Sequence, residues 1–166
     1  TDIYSPCIIG PRLGTTIKSF YENSLDGISG LHFHTMCEQN SDTLERTIKV
    51  VDEKFGLYLQ NMKWINFGGG HHITRDDYDI EKLIECIMHF KKKYNIQVYR
   101  EPGEAGGLNT GYLVASVLDI VQNGMDMAIL DASASCHMPD VIEMPYRPHI
   151  INSGMPNEKK HTYRLG

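Results

Sequence analysis

Two stretches with helical spacing, each set between short apolar segments that end in glycine or a polar residue, leave this chain few ways to fold. Leu44, Ile48, Val51 and Phe55 recur at intervals of three and four, which predicts an amphipathic helix over 41–59. Ser41 is placed to cap it and Glu45 falls in its first turn. Residues 79–93 repeat the pattern, with Asp79 as a cap and Lys91, Lys92 and Lys93 at the end where the helix dipole is negative. The apolar segments are 30–34, 64–70 and 96–104. Strand, helix, strand, helix, strand is the order of parallel βα units. Functional groups of such sheets gather just past the strand C-termini, where His34, Gly68 to Gly70 and Glu101 fall.

After Gly106 the pattern changes. Residues 108–121 are rich in Val, Leu, Ile and Thr, and 125–131 form another strand-like run with no strong amphipathic helix after it. A second, mainly β region is therefore expected from 106 onward, with 138–163 as loops and short strands. The length of 166 residues is by itself about one domain. The chain opens on Thr1-Asp2-Ile3-Tyr4 without Met and closes on Tyr163-Arg164-Leu165-Gly166, so a piece of a larger protein is expected.

Composition excludes several classes. The net charge is −5, which argues against a nucleic-acid binder, since that needs a basic face, and fits a cationic small molecule better. No apolar run reaches the roughly 20 residues a membrane helix needs, and Thr1 to Ser5 lack the pattern of a signal peptide. The four cysteines, at 7, 37, 86 and 136, form no CxxC pair and read as reduced thiols of a cytoplasmic protein.

Several motifs carry possible chemistry. Gly68, Gly69 and Gly70 follow a strand, and such a run can turn its backbone N–H groups toward a phosphate or serve as a plain flexible turn. No Lys-Ser or Lys-Thr follows, so this is not a Walker loop. His34 can stack on a flat cofactor ring, bind a metal, act as an acid or base, or be purely structural. His32, two positions away, shares its strand face. His71 and His72 are adjacent and would point oppositely on a strand, so a His-rich zinc site is conceivable. Glu101 can pair with a protonated ring nitrogen of an electron-sink cofactor, and Glu104 can meet a cationic substrate group. The alternative for both is a solvated acidic turn. Cys136 and His137 are adjacent, which disfavours a nucleophile–base dyad. Asp131, Asp140 and Glu143 are better placed to bind an amine.

Taken together, residues 30–38, 64–74, 101–105 and 131–148 resemble the pyridoxal-phosphate decarboxylases of the alanine-racemase and ornithine-decarboxylase fold type. The resemblance is strongest to the branch acting on carboxylated polyamines. The segments stand in family order, and Cys136-His137-Met138-Pro139-Asp140 is the most specific of them. The resemblance implies an α/β fold. Residues 1–105 would be the later part of a (β/α)8 barrel that binds pyridoxal 5'-phosphate, and 106–166 the first part of a C-terminal β domain. It implies His34 stacked on the pyridoxal ring, Gly68, Gly69 and Gly70 at the phosphate, and Glu101 on the pyridine nitrogen. Relatives acting on ornithine usually carry Arg where this chain has Glu104. Glu104 and Asp140, with Asp131 as a further candidate, are assigned to substrate amines. No resident metal is implied. The implied enzyme is a cytoplasmic homodimer with shared active sites, a polyamine substrate, and neither nucleic-acid nor membrane partners. The family's Schiff-base lysine and catalytic cysteine have no counterpart in this chain. Lys18 stands in the wrong context for the first, and Cys136 does not replace the second. Two other readings are a non-catalytic homologue that binds a regulatory partner and a zinc hydrolase.

Overall fold

The computed structural model describes residues 13–166; Cys7 and the opening Thr1 to Ser5 lie outside them. The chain divides into two compact units, Thr1–Thr110 and Gly111–Gly166. In the first, helix α1 (Ile17–Glu22) precedes strand β1 (Gly30–His32), helix α2 (Ser41–Leu59), strand β2 (Trp64–Gly69), helix α3 (Ile80–Tyr94), strand β3 (Gln97–Glu101) and a single helical turn, α4 (Gly103–Gly107). The three strands form one parallel sheet in the order β1-β2-β3. The two expected helices are present, and each links a strand to its parallel neighbour. Glu101 ends β3, and the segment after it is the turn of α4 rather than more strand.

Side-chain alternation divides the sheet into two unlike faces. Leu31, Ile65 and Val98 are in register across the strands and face the helices. With Phe33 and Phe67 they meet Leu44, Ile48 and Leu59 of α2 and Leu83, Cys86, Phe90 and Tyr94 of α3 in one apolar core. Phe67 and Phe90 are fully buried and meet edge to face at 5.3 Å. The other face carries Gly30, Trp64 and Gln97 in one row and His32, Asn66 and Tyr99 in the next. Tyr99 is 51% exposed there, and among the described residues of the first unit no helix packs over it.

The helix starts are fixed by polar side chains. Asn40, not Ser41, caps α2. Its Oδ1 accepts from the Ser41 backbone N–H at 2.7 Å and the Ser41 hydroxyl at 3.1 Å. The shorter Ser41 side chain is buried one residue inside the helix, and the acidic residue of the first turn is Asp42 rather than Glu45. Asn40 also receives the Asp79 N–H and donates to the Asp77 carbonyl, so one amide ties the starts of α2 and α3. Asp79 caps α3 as expected, accepting from the Lys82 N–H at 3.0 Å. Lys91, Lys92 and Lys93 fill its last turn, and Asn95 ends it in the left-handed conformation.

The second unit is a small sheet. Strands β4 (Val117–Gln122) and β5 (Asp126–Leu130) form an antiparallel hairpin, and β6 (Arg164–Leu165) joins β5 in parallel. The apolar run from 108 becomes strand only at Val117. Two short helices follow, α5 (Ala134–His137) and α6 (Asp140–Glu143), and the second lies in the 138–163 tail that was expected to hold only loops and short strands. Ala128 is the one buried residue of 111–166, and Val117, Leu118 and Ile120 are exposed. Met138, Pro139 and Asp140 follow a one-turn helix whose first N–H groups are met by Ser133, a local capping preference that strand-like composition hides.

Candidate active site

The three strand C-termini of the first unit converge because the residues after β2 have no side chains to keep them apart. A Cβ at Gly68 would lie 2.3 Å from the Phe33 carbonyl oxygen, one at Gly69 2.3 Å from the Glu101 carbonyl oxygen, and one at Gly70 2.7 Å from Cys37 Cα. Gly68 and Gly70 also adopt left-handed backbone conformations, at φ +70° and +82°, which favour glycine. The triple glycine therefore draws the segment after β1 and the end of β3 against β2. Two of its donors are engaged within the chain. The Gly68 N–H meets Asn66 Oδ1 at 2.8 Å and the Gly69 N–H meets His34 Nδ1 at 3.3 Å.

Glu101 is the centre of the resulting cluster. Asn66 donates to its Oε1 at 2.7 Å, while its Oε2 lies 3.5 Å from His32 Nε2 and 3.8 Å from His34 Nδ1. All three partners project from the open face, and each side chain of the His32–His34–Glu101 set is a little under half exposed. The structure thus brings together His34, Gly68, Gly69, Gly70 and Glu101. His32, noted in the sequence as sharing the strand face of His34, joins the cluster, and Asn66 was missed: only the strand register, which sets Asn66 in one row with His32, brings it to Glu101.

Glu104, in α4, is close by in the chain but already partnered. Its carboxylate lies 3.1 Å from His72 Nε2 and receives the Thr74 hydroxyl at 3.4 Å. His71 and His72 point oppositely, His72 toward Glu104 and His71 into the interior, where it is 1% exposed. Arg100 Nη1 stands 3.4 Å from His71 Nε2, and His71 Nδ1 lies 2.6 Å from the Tyr78 hydroxyl. A guanidinium can only donate, which places the His71 proton on Nδ1, facing Tyr78. Burial, reinforced by the Arg100 charge, pushes the His71 pKa down to about 3. Arg100 leaves β3 on the helix side of the sheet, and its own pKa is lowered by burial. Among the described residues nothing accepts from its Nε or Nη2, both of which are buried.

Asp131 and Asp140 belong to the second unit. Asp131 accepts the Ser116 N–H at 2.8 Å, and Asp140 accepts the Tyr146 hydroxyl at 2.7 Å. Glu143 ends α6. His137 Nδ1 receives the Ser133 N–H at 3.1 Å, so its contact is to Ser133 rather than Cys136. Hydrogen bonds from Ser133 and then Ser135 lower the Cys136 thiol pKa. Lys18 pairs with Glu22 on the surface of α1 at 3.7 Å. No disulfide joins Cys37, Cys86 and Cys136. Among the described residues no helix is long and apolar enough to cross a membrane.

A parallel βα sheet with a His–Glu cluster at its strand C-termini is an α/β architecture, and the ends of such strands are where sheets of this kind commonly gather ligand-binding groups. No family model matches the chain. Individual relatives do. The chain is 53% identical over 152 residues to a carboxynorspermidine/carboxyspermidine decarboxylase of Campylobacter jejuni, covering 92% of this chain and 40% of that protein. It is 38% identical over 168 residues to a carboxyaminopropylagmatine decarboxylase of Synechocystis, covering 100% of this chain and 43% of the relative. Among solved structures, carboxynorspermidine decarboxylase of Campylobacter jejuni complexed with norspermidine superposes with a TM-score of 0.85 at 47% identity, covering 96% of this chain and 46% of that one. An arginine decarboxylase of Paramecium bursaria Chlorella virus, bound to agmatine, superposes at 0.65 with 19% identity and 83% coverage of this chain, a likeness of fold alone. The chain is thus a homologue of carboxynorspermidine decarboxylases over most of its length. It spans less than half the length of the relatives it matches.

Proposed function

We propose that this chain contributes the cofactor-facing part of a pyridoxal-phosphate-dependent lyase that decarboxylates carboxynorspermidine or carboxyspermidine in polyamine biosynthesis. The activity is assigned to the protein at the length of its relatives, working in the cytoplasm as a homodimer with shared active sites. The observation that carries this reading is the cluster of His34, Gly68 to Gly70 and Glu101 in a chain 53% identical to such a decarboxylase. The β1–β3 sheet would be part of a (β/α)8 barrel spanning 1–105, and 106–166 would open a C-terminal β domain. A parallel sheet with one bare face supports this, because such sheets are normally covered on both sides.

The residues present fit pyridoxal phosphate. Glu101 has one carboxylate oxygen held by Asn66 and the other turned outward among the imidazoles, as a partner for a protonated pyridine nitrogen requires. His34 stands on the same open face, where its ring can lie against a flat cofactor. The glycine backbone admits a phosphate closely. The Gly68 and Gly69 N–H groups would exchange their bonds to Asn66 and His34 for it. When bound, the cofactor supplies an electron sink for the electron pair left as carbon dioxide departs. Glu101 would hold the proton on the ring nitrogen that keeps that sink electron-poor. Asn66 would hold Glu101 in place. Glu104, Asp140 and Asp131 would attract the substrate's ammonium groups by charge. In Glu104's case the substrate amine would displace the contact with His72.

The test is release of carbon dioxide from carboxynorspermidine and carboxyspermidine by the protein at its relatives' length. Glu101→Gln is expected to lower kcat by at least a hundredfold with saturating cofactor. Glu104→Gln is expected to raise KM for the polyamine more than it lowers kcat. Unchanged kinetic constants in both variants would overturn the site assignment. Pure 166-residue chain with added pyridoxal phosphate is expected to release no carbon dioxide.

A further inference from the structure

The open face of the sheet holds a donor set that the cofactor reading uses only in part. One donor atom from each of His32, His34 and Glu101 lies within 4.8 Å of the other two, a set of two imidazoles and one carboxylate. We propose that, when pyridoxal phosphate is absent, these three residues bind a divalent transition-metal ion such as Zn2+, and that metal and cofactor exclude each other.

Three observations carry the assignment. The first is spacing. Donors around a tetrahedral zinc ion, with bonds of about 2.0–2.2 Å, stand roughly 3.3–3.5 Å apart. The His32–Glu101 separation of 3.5 Å already meets this, the His34–Glu101 separation of 3.8 Å needs a few tenths of an ångström, and the two imidazole donors, within 4.8 Å of each other, must draw together by as much as about 1.3 Å. The second is support behind the donors. His32 is in β1 and Glu101 ends β3, both hydrogen-bonded to β2 between them. Asn66 of β2 grips Glu101 Oε1 and leaves Oε2 for the ion. A hydrogen-bonded carboxylate of this kind is what keeps a metal ligand oriented. The third is access. The side chains of His32, His34 and Glu101 are 46%, 43% and 45% exposed, which lets an ion enter and leaves room for a water as fourth ligand. Two imidazoles with one carboxylate suit zinc and its neighbours in the first transition row better than magnesium or calcium.

The exchange at His34 is explicit. Its Nδ1 lone pair now accepts the Gly69 N–H at 3.3 Å, a long bond. Coordination takes that lone pair and releases the Gly69 N–H. His34 and Glu101 are the residues assigned above to the cofactor ring. The exclusion half of the proposal therefore rests on that assignment, whereas the metal site itself does not.

The experiment is equilibrium dialysis of cofactor-free protein against Zn2+, repeated for His32→Gln and Glu101→Gln. Circular dichroism confirms that these exposed substitutions leave the fold intact, and Cys136→Ser serves as a control for thiol binding. One zinc per chain is expected, bound at least tenfold more weakly in each site variant and unchanged in Cys136→Ser. Saturating pyridoxal phosphate is expected to expel it. No stoichiometric zinc, or zinc retained with equal affinity in both site variants, would overturn the metal site. Stoichiometric zinc retained in the presence of bound cofactor would overturn the exclusion. Zinc bound as expected by a protein that takes up no pyridoxal phosphate would sink the cofactor reading and leave the metal site standing.

Discussion

The two faces of the β1–β3 sheet are written by alternate residues of the same three strands, yet they do different work. The helix-side face, with Leu31, Phe33, Ile65, Phe67 and Val98, supplies the apolar area that holds α2 and α3 in place. The open face, with His32, His34, Asn66 and Glu101, supplies almost no burial but all of the converging polar groups. One face can therefore be changed with large effects on stability, and the other with large effects on ligand binding. Arg100 crosses this division: it is a charge on the packing face, held against His71 rather than in the site.

The sharpest way to break the contrast is to truncate each face in turn. Phe67→Ala removes a fully buried ring and is expected to lower unfolding free energy by about 3–5 kcal/mol in urea titrations. A loss below about 1 kcal/mol would mean the helix side is not the core. The next effect is on pH dependence. His71 is held neutral, with a folded pKa of about 3 against an ordinary 6.5. Below pH 6.5 the unfolded chain binds a proton that the folded chain refuses, so stability is full above that pH and falls steadily toward pH 3. Unfolding midpoints measured from pH 7 to pH 4 should decline by less in His71→Phe than in the parent.

Gly68→Ala places a methyl against the Phe33 carbonyl at a left-handed φ. It should cost about 1–3 kcal/mol, detectable as a lower denaturant midpoint. The smallest effect belongs to the open face. Tyr99→Thr, at a half-exposed position, should change stability by less than about 1 kcal/mol. If it cost as much as Phe67→Ala, the open face would have to be packed against something, and the division between the faces would fail.

Much of the first unit was legible in the sequence because periodicity reports burial. The 3.6-residue repeat of Leu44, Ile48 and Val51 and the apolar segment that holds Ile65 and Phe67 both record the same core, whereas Phe55 meets Phe20 edge to face. Caps were less legible. Asn40 and Ser41 are both good capping residues, and what decides between them is that Asn40 also reaches Asp77 and Asp79 some forty residues away. The site was partly legible: His34, the glycines and Glu101 stand at strand ends where parallel sheets gather chemistry. Asn66 was not, because an amide in a strand has no marker until the register sets it beside Glu101. Arg100 was not either, since strand alternation places it on the buried face against the usual preference of its type. In the second unit, the short helices α5 and α6 escaped because one turn is too short to show a period.

Trp64 is the sole tryptophan of the chain, and its indole lies over Gly30 on the open face, 6.2 Å from the Tyr99 ring. It shares that face with Asn66, about 7 Å further along the strand, and Asn66 holds Glu101. The molecule therefore carries its own fluorophore beside its candidate site. Emission from a single position, quenched by a coloured ring settling on the face or shifted when water leaves it, reads occupancy directly without any label.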